Sequence, residues 1–150
     1  MPKQKILKEV NSVFNDFLQE KDHRKTPERF AILNEIYKKA SHFNIDEMYS
    51  IMKRKKYRVS RATLYNTIEL LLNAKLIRKH HFENHPAEYE KCYFSRQHDH
   101  LICDKCNKII EFCEPRMHNI KQFISEELKF KIERHTLNMY GLCESCQNNK

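Results

Sequence analysis

The sequence predicts an α+β fold: a winged helix-turn-helix followed by a small α/β domain built around a four-cysteine zinc site. Three observations carry this. Residues 3–74 hold four runs of apolar side chains at three- and four-residue spacing, and two strand-like runs follow them. Beyond residue 97 the period changes to short strands around one helical run. Two CxxC pairs, Cys103/Cys106 and Cys143/Cys146, stand 36 residues apart in that last third.

In the N-terminal part, Ile6, Val10, Val13, Phe14, Phe17 and Leu18 predict an amphipathic helix over 3–20. Thr26-Pro27 is a start signal, with Thr as N-cap and Pro at the first helical position, for a helix over 27–39. Asn44 to Glu47 reads as a capping box opening a third helix, whose buried side is Met48, Ile51 and Met52. Ser60 caps a fourth, Arg61 to about Ala74, with Leu64, Ile68, Leu71 and Leu72 on its apolar face. The runs 76–82 and 88–94 then form a strand pair turned by His81 to Pro86.

Past residue 97, Leu101–Ile102 and Ile109–Phe112 are short strands flanking the first CxxC, with Asn107 in the left-handed turn. Pro115 opens a helix carrying Met117, Ile120, Phe123, Ile124 and Leu128. Phe130 to His135 alternates as a strand, which Thr136 to Leu142 extends towards the second CxxC.

The composition narrows the function. Of 150 residues 32% are charged and mean hydropathy is −0.81, so two large cores are excluded and a staple such as metal or oligomerisation is expected. No apolar run approaches the length of a membrane span, and no N-terminal signal segment is evident. The expectation is a cytoplasmic protein with no membrane partner, whose thiols stay reduced. Residues 1–84 contain 18 Lys/Arg against 10 Asp/Glu, whereas residues 85–150 contain 10 of each. The whole excess of +8 therefore lies in the N-terminal part, as when one module meets a polyanion. With one glycine, Gly141, the chain lacks a phosphate-cradling loop. No nucleophile or second catalytic carboxylate is arranged beside the histidines, so neither an enzyme nor a small organic substrate is expected.

The cysteines and histidines carry the chemistry. Cys103, Cys106, Cys143 and Cys146 can supply the closed tetrathiolate of a structural Zn(II). His98 and His100, two apart in a strand, face one side, and Glu111 on the partner strand can join them in a nitrogen and oxygen ligand set suited to a regulatory ion. Asp99 faces the other way and could form an auxiliary site with His118 and His135.

These motifs resemble the ferric uptake regulator (Fur) family over nearly the full chain. The stretches that carry the resemblance are Arg24 to Leu33, Ser41-His42, Ser60 to Ile68, His98 to Phe112, and the final CxxC. The family implies a winged-helix domain, here 1–84, a wing strand and hinge over 85–97, and a metal-binding dimerisation domain over 98–150. It implies a homodimeric transcriptional repressor that binds operator DNA when a hinge metal is present. The hinge ligands carried over are His42, Glu90, His98, His100 and Glu111, with Glu88 and Cys92 as alternatives for Glu90. Thiolate from Cys92 would bias the site towards zinc. At the auxiliary site, Asp99 and His135 match the family, but Gln97 replaces its usual His and His118 its usual Glu.

In the fourth helix, Ser60, Arg61, Thr63, Tyr65 and Asn66 fall at the end that enters the major groove. Tyr65 matches the family's base-contacting tyrosine, and Asn66 stands where the family has Arg. Lys25, Arg29, Arg58 and Arg61 read as phosphate contacts. The regulatory ion expected is Fe(II), with zinc, manganese or peroxide sensing as alternatives. Glu111, where peroxide sensors tend to have Asp, argues against the last. A zinc-ribbon nucleic-acid-binding protein without sensing is the distant alternative.

Overall fold

A computed structural model describes residues 2–149, in two compact units, Met1–Ser95 and Arg96–Lys150. The first contains helices α1 (Lys3–Glu20), α2 (Pro27–Lys38), α3 (Ile45–Arg54) and α4 (Arg61–Asn73), then strands β1 (Ile77–His80) and β2 (Glu88–Lys91). Helix boundaries follow the predicted periodicity, and the local signals explain most of them. Ser60 Oγ accepts from the Thr63 amide at 3.1 Å and caps α4. Asn44 accepts from the Glu47 amide at 2.8 Å, but the capping box is half formed, because the Glu47 carboxylate accepts from Lys39 instead. Thr26 occupies the N-cap of α2 without a side-chain capping bond, so Pro27 is what starts that helix.

The core of this unit comes from the predicted faces: Val10, Phe14 and Leu18 of α1, Ile32, Leu33 and Ile36 of α2, Met48 and Met52 of α3, and Leu64, Ile68 and Leu71 of α4. Phe14 meets Phe30 edge-on at 5.4 Å between ring centroids. Truncating such a buried residue to alanine costs roughly 2–5 kcal/mol. β1 and β2 are shorter than the predicted runs. They pair antiparallel over four rungs, Ile77↔Lys91 to His80↔Glu88, while Leu76 and Phe82 are buried outside the ladder.

The second unit has β3 (Asp99–Cys103), β4 (Ile109–Phe112), helix α5 (Arg116–Leu128), β5 (Asn138–Gly141) and the short α6 (Glu144–Asn148). Its sheet runs β4-β3-β5, with β4 antiparallel and β5 parallel to β3. Asn107 takes the left-handed turn with φ 63°. One expectation fails: Phe130 to His135 is not a strand, and β5 begins only at Asn138. Alternation gives that segment two faces but no hydrogen-bonding edge, and Phe130 is 66% exposed. Among the described residues of this unit only Ile102 and Cys103 are buried apolar side chains. No helix among the described residues is long and apolar enough to cross a membrane.

Candidate metal centres and nucleic-acid interface

The four predicted cysteines converge. Their sulfurs all lie within 4.8 Å of one another, and Cys106 Sγ is 3.7 Å from Cys143 Sγ. Zinc–sulfur bonds of about 2.3 Å in a tetrahedron place sulfurs about 3.8 Å apart, so the cluster fits that ion. All six cysteines of the chain are free thiols. The turn after β3 and the start of α6 present the two pairs. Amide donation, first from Cys143 and then from Cys106, brings the Cys103 thiol down to about 6. The hydrogen bond with Cys143 and burial push Cys146 up to about 12. Gathered thiols that hinder one another's ionisation are what a divalent cation relieves.

Within the first unit, a single bridge sets the geometry of His42 and Glu90. Phe43, outside the named strands, pairs antiparallel with Tyr89 of β2, so the residues beside them are brought together. His42 Nε2 is 3.2 Å from Glu90 Oε2, and both side chains are buried. His80, which the sequence reading passed over, meets the other carboxylate oxygen at 2.7 Å. Arg78, directly opposite Glu90 in the ladder, stands 3.0 Å from that same oxygen. Two-residue alternation along β1 was the available signal, because it puts Arg78 and His80 on one face.

Of the two alternatives to Glu90, Glu88 also interacts electrostatically with His42. Glu88 is half-buried, and burial followed by the charge of Glu47 raises its pKa. Burial also raises the Cys92 thiol, which donates to the Lys75 carbonyl at 3.2 Å.

Within the second unit, His100 stands directly opposite Glu111 across β3 and β4. His98 Nε2 lies 3.9 Å from Glu111 Oε2, and the His98 and His100 rings are 5.0 Å apart. His98 Nδ1 is bonded to the Arg96 carbonyl at 2.9 Å. A carbonyl can only accept, so Nδ1 carries a proton and Nε2 is the ring nitrogen on the side of Glu111.

The auxiliary residues divide. His135 Nε2 is 2.9 Å from Asp99 Oδ1 and 3.1 Å from Oδ2, with both side chains largely buried. Gln97 donates to the carbonyls of His98 and His135. His118 is exposed on α5 and joins no cluster of three potential ligands with that pair among the described residues.

The basic unit also holds a polar cleft of about 320 Å³ lined by Arg24, Thr26, Glu28, Arg29, Arg58, Thr63 and Asn66. It brings together four of the predicted residues, Arg29, Arg58, Thr63 and Asn66, and adds Arg24. Tyr65 is 52% exposed. Lys25 donates to Gln19 at 3.0 Å. Arg61 ties α4 to α3 through Asp46 at 2.6 Å and lies 4.4 Å over the Tyr49 ring.

Comparison with known proteins agrees with this architecture. The chain matches the ferric uptake regulator family over residues 20–140. It is 33% identical over 137 residues to the ferric uptake regulation protein of Neisseria gonorrhoeae, covering 89% of this chain and 94% of that one. The structure of the Francisella tularensis ferric uptake regulator with iron superposes with a TM-score of 0.75 at 30% identity, over 83% of this chain and 95% of that one. The Helicobacter pylori ferric uptake regulator, described as having three functional metal-binding sites, shares the fold at a TM-score of 0.82 and 23% identity, over 99% and 95% of the two chains.

Proposed function

The chain belongs to the ferric uptake regulator family of metal-responsive transcriptional repressors, and we propose that it senses Fe(II) and represses by binding operator DNA as a homodimer. The observation that carries this is the division of the ligand set. His42 and Glu90 belong to the basic unit, and His98, His100 and Glu111 to the other. Each half is arranged by its own backbone: the Phe43↔Tyr89 bridge on one side, the His100↔Glu111 register on the other.

A divalent ion bound by both halves would supply the bonds that favour one relative orientation of the units. The protein's part is to hold imidazole and carboxylate groups ready, so that few side-chain rotations are frozen on binding. Moving a dimer from mostly incompetent to mostly competent for DNA takes roughly 5 kcal/mol of differential affinity. The imidazole and carboxylate donors support iron over zinc, since the Cys92 sulfur is turned to the Lys75 carbonyl. The four cysteines would hold structural Zn(II). An auxiliary ion at Asp99, His135 and His118 would first have to displace the existing contact between His135 and Asp99.

On the DNA side, the first turns of α4 would enter the major groove with Tyr65 and Asn66 towards the bases. The Arg24, Arg29 and Arg58 cleft would take backbone phosphate, which positions without specifying. A second copy is called for because a unit of this size with two buried apolar side chains among its described residues cannot supply its own core. Gel-shift titration in buffered Fe(II), Mn(II) and Zn(II) tests the proposal. Tight binding that is lost to chelator and in His98→Ala, with Fe(II) effective at the lowest free concentration, is expected. DNA affinity indifferent to both would rule out metal gating.

A further inference from the structure

The contacts of His80 are not explained by the ligand set. Its Nε2 lies 2.7 Å from Glu90 Oε1 with both side chains buried, and the carboxylate oxygen accepts the hydrogen bond that Nε2–H donates. Its ring is stacked on Phe82, with 5.4 Å between centroids and 6° between planes, and meets the His42 ring edge-on at 5.6 Å. The imidazole is thus fixed in position and in direction. Arg78 Nε approaches the same oxygen at 3.0 Å but is not aimed at it, and its Nη2 donates to Ser95. His80 supplies a directed bond to Oε1. Glu90 Oε2 lies on the other side, towards His42.

We propose that His80 is a positioning residue that makes Glu90 a one-oxygen ligand and so helps set which ion the regulatory site prefers. The inference rests on the reading of His42 and Glu90 as ligands. A carboxylate free at both oxygens can chelate, a mode that suits oxygen-seeking ions of higher coordination number such as Mn(II). One whose Oε1 already accepts a directed hydrogen bond is biased towards binding an ion through Oε2, which suits compact sites. Hydrogen-bond partners of ligating carboxylates commonly change metal affinity by roughly 10–100-fold when removed.

The test uses the full chain with its four-cysteine zinc retained, titrated with Mn(II) and with further Zn(II) against a chromophoric chelator. His80→Leu is expected to weaken Zn(II) on the order of tenfold or more and Mn(II) less, so that the Mn/Zn affinity ratio rises about tenfold. His80→Gln, which keeps an N–H donor at similar reach, should restore the wild-type ratio. If His80→Leu fails to fold, His80→Asn, polar but too short to reach Oε1, takes its place with the same expected ratio. Equal weakening of both ions, no change, or a Gln variant that behaves like the Leu variant would overturn the proposal. Glu90→Gln separates the two levels. Wild-type affinity in that variant would overturn the ligand assignment itself, whereas lost affinity with an unmoved His80→Leu ratio would overturn the role of His80 alone.

Discussion

Phe43 and Tyr89 exchange both backbone hydrogen bonds, at 2.9 and 2.7 Å, and their rings stack 5.7 Å apart. This bridge sews the α2–α3 connection to β2, and His42 and Glu90 are the residues immediately beside it. Phe43→Ala is therefore expected to cost about 3–5 kcal/mol in urea unfolding and to lower regulatory-metal affinity as well. His42→Ala should lower the affinity while shifting the unfolding midpoint little. Equal loss of stability in both variants would mean that the bridge does not organise the half-site.

The cysteine cluster stands in for the core that the second unit lacks. Cys146→Ser, or removal of zinc by a strong chelator, should abolish amide protection in residues 96–150 while α1 to α4 keep theirs. Hydrogen exchange read segment by segment checks this, with zinc content by elemental analysis. Protection unchanged in zinc-free protein would refute a structural role for the metal.

Much of this was legible in the sequence because the determining interactions are local or repeat at a fixed period. The helices of the first unit, the Ser60 and Asn44 caps and the Asn107 turn were all readable, since each depends on residues within one or two turns. The cysteine quartet was readable because paired CxxC units are chemically specific. The Phe130 to His135 segment misled, because alternation describes two faces and says nothing about whether an edge is there to pair with. His80 escaped for a different reason. Its role depends on the β1–β2 register, which strand-like runs alone do not fix. The occupation of Arg61 by Asp46 and Tyr49 was likewise invisible, being a contact between two helices.

Glu35 shows how the basic unit tolerates a buried acid. It is 4% exposed and accepts from Lys55 at 2.5 Å and Lys38 at 3.0 Å. Burial alone would raise its pKa, but those two hydrogen bonds outweigh it and hold the pKa below the ordinary 4.5. A group depressed on folding stabilises above its unfolded pKa, and that contribution disappears as the pH falls through the folded value. Glu35→Gln should thus lose about 1–2 kcal/mol at pH 7, and the gap to wild type should close below pH 4.5. Denaturant melts at pH 7 and at successively lower pH below 4.5 measure it, and a gap that does not narrow as the pH falls would contradict the assignment.

Helix α5 sets the last expectation. Its predicted apolar face is present but uncovered, with Ile120 47%, Phe123 65% and Leu128 72% exposed, and Met139 and Leu142 near β5 about half exposed. Exposed apolar side chains on a unit with so small a core call for a partner surface, and a second copy would supply an equally apolar one. Phe123→Glu would bury a charge without a counter-ion in such an interface, which costs far more than the lost packing. Sedimentation velocity on zinc-loaded protein should give a dimer for wild type and a monomer, or a dimer weakened at least 100-fold, for the variant. Because Phe123 faces solvent within one chain, the winged-helix unit should keep its melting transition. A variant that remains dimeric at the same concentrations would place the subunit interface elsewhere.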